Sequence, residues 1–278
     1  MAYISSPSNP RIGRLRDLHT TRGRKNHGLF LMEGPHLLEA LLDAAVPLHE
    51  VYYQPSALQR TARGRLLLDR LLHATDLSQQ QLIEVSERVL AAVSDVQTSQ
   101  GVVSVLSCDT FSAEQVRKRR APAIRPALLI LDGLADPGNM GAILRTALAA
   151  NAAGVLLTPD CVDHFSPKVV RAAAGAHIAL PIEADMTWPV IAERVAAHSP
   201  GRVLLAEAGS PHLYYEQDLK QPFALIIGNE AHGPSQQARS LATLTISIPL
   251  SDGVESLNAA MATGIILYEA VRQRQAAT

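Results

Sequence analysis

Hydrophobic residues in the second half of this chain come in short runs separated by stretches of helical spacing. Residues 128–131 form a continuous apolar run, the pattern of a strand covered on both faces. Residues 155–157, 179–182, 203–206 and 224–227 read as further strands. Between them, helices are predicted over 140–150, from the Ser166 cap with Pro167 in its first turn, and over 188–198. Ser256 reads as the N-cap of a long last helix, with Leu257 opening it. Leu257, Met261, Gly264, Tyr268 and Val271 then share one face. The alternation predicts a mostly parallel sheet with helices on both sides. Ligands in such sheets lie outside the carboxyl ends of the strands. The loops at Gly138, Gly228 and Pro249 all follow strands, so all three are expected at that edge.

The first half is patterned differently. Ser8, Asn9 and Pro10 read as the start of a helix running to about His19. TTRGRKNHG reads as a basic loop, residues 30–32 as a strand and 36–44 as a helix. From 46 to 106 short pieces alternate: HEVYY and GVVSVL as strands, LLLDRLLHAT as a helix, and LIEVSERVLAAVS as a strand turning into a helix. The expected organisation is a small α/β domain over 1–108, a basic, proline-containing linker over 109–126, and a larger α/β domain over 127–278. The linker reads as a hinge or as a second phosphate contact.

Composition narrows the class of protein. Of 278 residues, 47% are apolar and 18% charged, enough for a large core and against wholesale disorder. The net charge of −1 implies no global electrostatic partner, so a nucleic-acid surface must be local. Residues 1–36 supply one, with six basic residues against Asp17 and Glu33. Arg11, Arg14, Arg22, Arg24 and Lys25 are the candidate phosphate contacts, weighed against a merely solvated face. No apolar run approaches the roughly 18 residues that cross a bilayer, and the N-terminus lacks the apolar core of a secretory signal. Cys108 and Cys161 are expected as buried thiols in a cytoplasmic protein. The histidines lack the clustered spacing of metal ligands, so no metal is expected.

Candidate chemistry lies in the loops of the second half. Gly228 and Gly233 bracket Asn229 and Glu230 after a strand, which marks a tight turn or close approach of the backbone to something bound. The helix after Asp136-Pro137-Gly138-Asn139 presents free N–H groups. Its glycines lack the G-x-G-x-x-G spacing of a dinucleotide site. Arg145 interrupts the apolar run AILRTALAA. A cation there reaches a substrate or partner, or snorkels to the surface.

In this order, DPGNMGAILRTA, IIGNEAHG and IPLSDGVESLNAA resemble the three signature motifs of the SpoU (TrmH) ribose methyltransferases of the SPOUT superfamily. ISSPSNPRIGRL and FLMEGPHLL are similar to the N-terminal substrate-binding domain of many members, which is L30e-like. The resemblance implies a C-terminal α/β knot (a deep trefoil) with a mostly parallel sheet and a smaller N-terminal α/β domain. It implies transfer of a methyl group from S-adenosylmethionine to a ribose 2′-hydroxyl of RNA by a homodimer whose site is completed across the interface. Asn139, Arg145, Glu230, Ser256 and Asn258 match the catalytic positions. Gly228, Ile248 and Leu257, with Ala206 and Leu250, match the cofactor cradle. An arginine side chain carries only donors, so Arg145 is expected to grip the target phosphate while a phosphate oxygen or water takes the proton. Ala259 and Ala260 stand where many members have Val-Ser, and Leu250 where they have methionine. The basic N-terminal domain suits structured RNA, 23S rRNA first. Transfer RNA, or a non-catalytic RNA-binding or assembly role, are the alternatives.

Overall fold

Asn9 opens the first helix by accepting a hydrogen bond from the Arg11 N–H at 2.9 Å, with Pro10 filling the first turn. A computed structural model describes residues 2–73, 81–96, 99–121, 123 and 125–276. Two units emerge from it: Met1–Phe111 with Phe165–Ile178, and Ser112–His164 with Ala179–Thr278.

The first unit runs β1 (Ala2–Ile4), α1 (Pro10–Asp17), α2 (Thr21–His27), β2 (Leu29–Glu33), α3 (Pro35–Asp43), β3 (Glu50–Tyr53), α4 (Pro55–Leu58), α5 (Ala62–His73), β4 (Leu82–Val85), α6 (Glu87–Val93) and β5 (Val102–Ser107). Its strands lie in the order β1-β4-β3-β5-β2. β4 pairs parallel with β1 and β3, whereas β5 pairs antiparallel with β3 and β2. Side chains alternate across the sheet. Tyr52 packs with Ile12 and Leu15 on one face, Val51 and Tyr53 with Leu38 and Leu67 on the other. The stretch TTRGRKNHG, expected as a loop, is the helix α2. The Thr20 hydroxyl caps it by accepting from the Gly23 N–H at 3.0 Å, and Gly28 ends it at φ 63°. The end of the helix predicted over LLLDRLLHAT, at residues 74 and 75, lies outside the described residues, as do 122 and 124 of the linker.

The second half of the chain runs α7 (Ala113–Arg119), β6 (Ala127–Leu131), α8 (Pro137–Ala149), β7 (Gly154–Leu157), α9 (Pro167–Ala173), β8 (Ile182–Glu183), α10 (Trp188–His198), β9 (Val203–Ala206), β10 (Phe223–Ile227), α11 (Gln236–Leu241), β11 (Leu244–Ile246) and α12 (Ala259–Gln275). Six strands pair in parallel in the order β11-β9-β10-β6-β7-β8. β6 and β10 are buried along their whole length, as a doubly covered strand requires.

Four details depart from the sequence reading. The stretch read as a hinge holds α7, whose Val116 is buried and whose Arg117 pairs with Glu183. Burial, then repulsion from Arg125, brings the Arg120 guanidinium down to about 10. The strand expected over 179–182 shrinks to β8, because Ala176–Ile178 takes a 3₁₀ turn. α9 packs with the first unit, where Phe165 stacks on Phe30 at 4.3 Å and Val170 joins the core. The cap of the last helix lies two residues later than Ser256, at Asn258, whose side chain accepts from the Ala260 and Met261 N–H groups.

One network in the first unit is open to test. Arg14 Nη2 and the Tyr52 hydroxyl both donate to Glu50 Oε2, at 2.6 and 2.8 Å. Burial, then the bond to Glu50, pushes the Tyr52 phenol up. Glu50 is itself buried, so removing its cation strands a charge. Arg14→Ala is expected to lower unfolding free energy by about 2 kcal/mol in urea titration. Arg70→Ala, which breaks a solvated pair with Asp43, is expected to leave it unchanged. Equal effects would show that Glu50 is not desolvated.

Candidate active site

The carboxyl ends of β6, β9, β10 and β11 converge on a cavity of about 450 Å³. Each strand hands the chain to a loop or helix cap that enters the same space. After β6, the Asp136 carboxylate accepts from the Asn139 N–H at 2.7 Å and so caps α8, which puts the Asn139 side chain at the cavity. After β10, Gly228 leads into a tight loop closed by the Gly233 N–H donating to the Asn229 carbonyl at 2.9 Å. A side chain on Gly228 would place its Cβ 2.6 Å from Pro234 N and 2.8 Å from Pro234 Cα, so only glycine fits. The constraint is close packing of main chain on main chain, and the Gly228 φ is not in the left-handed region. After β11, residues 248–258 line the cavity through Ile248, Leu250, Ser256, Leu257 and Asn258.

Side chains from three loops are joined in one hydrogen-bonded chain. Asn258 Nδ2 donates to Asn139 Oδ1 at 2.8 Å, and Asn139 Nδ2 donates to Glu230 Oε1 at 2.9 Å. The second Glu230 oxygen accepts from the Ala135 N–H at 3.5 Å. Asn258 Oδ1 meanwhile caps α12, so both ends of this amide are used. Residues distant in sequence are thereby held in one geometry, with each amide's orientation fixed by its neighbours.

Of the positions expected from sequence, Asn139, Glu230, Ser256, Asn258, Gly228, Ile248, Leu257, Ala206 and Leu250 all line the cavity. Arg145 does not. It is exposed on α8, two turns from the cap, and among the described residues it makes no hydrogen bond or ion pair. Of the readings left open for a cation in that apolar run, it takes the one that snorkels to the surface. The basic residues of the first unit divide. Arg11, Arg22 and Lys25 are exposed. Arg24 is buried and donates to the Leu18 carbonyl at 2.7 Å, and Arg14 is taken by Glu50. Those two hold the unit together rather than face a ligand.

Asp132 and Glu207 escaped the sequence reading, and Asn229 was placed in its loop without a role. Buried Asp132 accepts from the Ser235 N–H at 2.7 Å, tying the end of β6 to the start of α11. Asn229 Nδ2 donates to the Gly133 carbonyl at 2.6 Å while its Oδ1 accepts from the Ala231 and His232 N–H groups. Glu207 lines the cavity and pairs through both oxygens with Arg239 at 2.6 Å. The signal for Asp132 was a carboxylate ending an apolar strand. Among the described residues no group of three or more His, Cys, Asp or Glu side chains is placed to hold a metal ion.

Residues 126–268 match the SpoU rRNA methylase family, and residues 9–104 match the MRM3-like substrate binding domain. The chain belongs to the SpoU rRNA methylase family. It is 38% identical, over all of its own length and 96% of the other's, to an uncharacterized tRNA/rRNA methyltransferase of Synechocystis sp.. It is 29% identical, over 96% of its length and 98% of the other's, to the 23S rRNA (guanosine(2553)-2′-O)-methyltransferase RlmP of Bacillus subtilis. The SpoU methyltransferase AviRb from Streptomyces viridochromogenes, solved in complex with the cofactor AdoMet, is 27% identical and superposes with a TM-score of 0.80, covering 96% of this chain and 98% of that one. Asn139, Glu230 and Asn258, the hydrogen-bonded residues of the cavity, all fall inside the matched range, as does Arg145, which lies outside the cavity.

The Gly228 packing predicts a contrast. Gly228→Ala must push the main chain at Pro234 and is expected to cost about 3 kcal/mol. Gly233→Ala meets nothing within 4 Å and pays only for its φ of +67°, about 1 kcal/mol. Urea denaturation of the two variants measures the difference, and equal costs would contradict the packing.

Proposed function

We propose that this chain transfers a methyl group from S-adenosylmethionine to a ribose 2′-hydroxyl of RNA, with 23S rRNA as the substrate, and that it does so in the cytoplasm as a homodimer. The observation that carries the reading is the Asn258–Asn139–Glu230 chain at the mouth of the strand-end cavity.

The cavity fits the cofactor. Its volume lies in the range of nucleoside-sized sites. Its walls at Ile227, Ile248, Leu250 and Leu257 suit an adenine ring, and strand ends offer main-chain groups to the ring's polar edge. Ala206, Gly228, Ile248, Leu250 and Leu257 would hold it. When bound, it supplies a methyl group on a positively charged sulfur. The chain's own residues then do the orienting: Asn139 is locked between Glu230 and Asn258, and a nucleophile placed against it enters a fixed geometry. We place the C-terminal segment 247–258 as the threaded part of a trefoil knot. The buried Ser247, whose hydroxyl donates to the Ser210 carbonyl at 2.7 Å, supports that reading. The L30e-like fold of the first unit belongs to the same proposal.

A second copy supplies what one chain lacks. Met261 and Tyr268 are 62% and 51% exposed, large apolar side chains on one side of α12. The buried side of that helix is the other one, with Thr263, Ile266, Leu267 and Ala270. α12 packs on α8 near Gly264 and Thr146. A copy seated on the exposed side lies next to Arg145, so each Arg145 serves the other copy's cavity and grips the RNA phosphate there.

Nucleotide-resolution mass mapping of RNA from a strain lacking the gene tests the reaction. One 23S rRNA 2′-O-methylation is expected to disappear and to return with the wild-type gene. Loss of a tRNA mark instead would contradict the substrate, and no lost mark would contradict the activity. Met261→Asp is expected to give a monomer by sedimentation and at least a tenfold loss of methyl transfer. A monomeric variant with full activity would contradict the shared site.

A further inference from the structure

The proton leaving the ribose 2′-hydroxyl needs an acceptor, and Arg145 has none to offer. An open groove adjoins the cavity and shares Asn139, Asn229, Glu230 and Asn258 with it. Its remaining ionisable lining is Asp136 and His232. Each carboxylate there already has a structural task. Asp136 caps α8, and Glu230 accepts from both the Asn139 side chain and the Ala135 N–H. Protonating either would cost the site its geometry.

His232 is placed differently. Its main chain is fixed, because the His232 N–H donates to Asn229 Oδ1 at 3.0 Å in a loop closed at Gly233. Asn229 in turn is anchored to the Gly133 carbonyl at the end of β6. The side chain is exposed, and among the described residues nothing hydrogen-bonds its ring. A hydrogen-bonded loop thus holds an imidazole, with no hydrogen-bond partner among the described residues, in the groove that adjoins the cavity.

We propose that His232 is the catalytic proton acceptor for the target 2′-hydroxyl. A free ring nitrogen takes the hydroxyl proton as the ribose oxygen forms its bond to the methyl carbon. The carbon–sulfur bond breaks with its electron pair going to sulfur. The positive charge passes from the sulfonium to the imidazolium, so charge and atoms balance. Imidazole suits the task because its unprotonated ring nitrogen accepts a proton that the ring can later release. The inference rests on the methyl-transfer reading above.

The test uses His232→Ala and His232→Gln in the full chain, with undermethylated 23S rRNA isolated from a strain lacking the gene. Affinities for S-adenosylmethionine, by calorimetry, and for the RNA, by filter binding, are expected to stay within twofold of wild type. The single-turnover methylation rate is expected to fall about 100-fold, and added imidazole is expected to restore part of it in His232→Ala. An unchanged rate would overturn the inference. So would a loss matched by weaker RNA binding, or a loss that imidazole does not restore, since either makes the ring a contact or a positioning group. If the wild-type protein itself transfers no methyl group, the reading of the site fails instead.

Discussion

Two hydrogen bonds, from Asn258 to Asn139 and from Asn139 to Glu230, determine the shape of this site. They connect the start of α8, the loop after β10 and the cap of α12, which come from separate parts of the sheet edge. Each is an ordinary neutral or singly charged bond, worth about 1–2 kcal/mol alone. Their weight comes from sharing. Asn258 also caps α12, and Asp136 fixes the main chain of Asn139. Moving one loop therefore disturbs two helix starts and the wall of the cavity together.

The sheet beneath was readable from the sequence because parallel strands buried on both faces leave continuous apolar runs. Trp188–His198 and Val203–Ala206 fall where the pattern put them. Caps were harder. Ser256 and Asn258 are both good N-cap residues, and only the folded chain shows that Asn258 has a second partner in Asn139. TTRGRKNHG looked like a loop because it mixes glycine with charge. Its limits were set by Thr20 and Gly28, two local signals that outweigh composition.

The face of α12 shows where periodicity stops informing. Met261 and Tyr268 do share a side, yet the chain buries the opposite side, including Thr263, whose hydroxyl donates to the Ala259 carbonyl at 2.7 Å. Helical spacing of apolar residues shows that they share a side, not that the chain buries that side. Arg145 posed the same difficulty. It interrupts an apolar run, yet its side chain is exposed on α8 and away from the cavity. In the first unit, charge counting overestimated the free basic side chains, because Arg14 pairs with Glu50 and Arg24 donates to the Leu18 carbonyl.

The central claim is that Asn139 and Asn258 act as one unit in forming the cavity. A double-mutant cycle on S-adenosylmethionine affinity, measured by titration calorimetry with Asn139→Ala, Asn258→Ala and the pair, tests it directly. A coupling of about 1 kcal/mol or more is predicted, and losses that add within about 0.3 kcal/mol would contradict it.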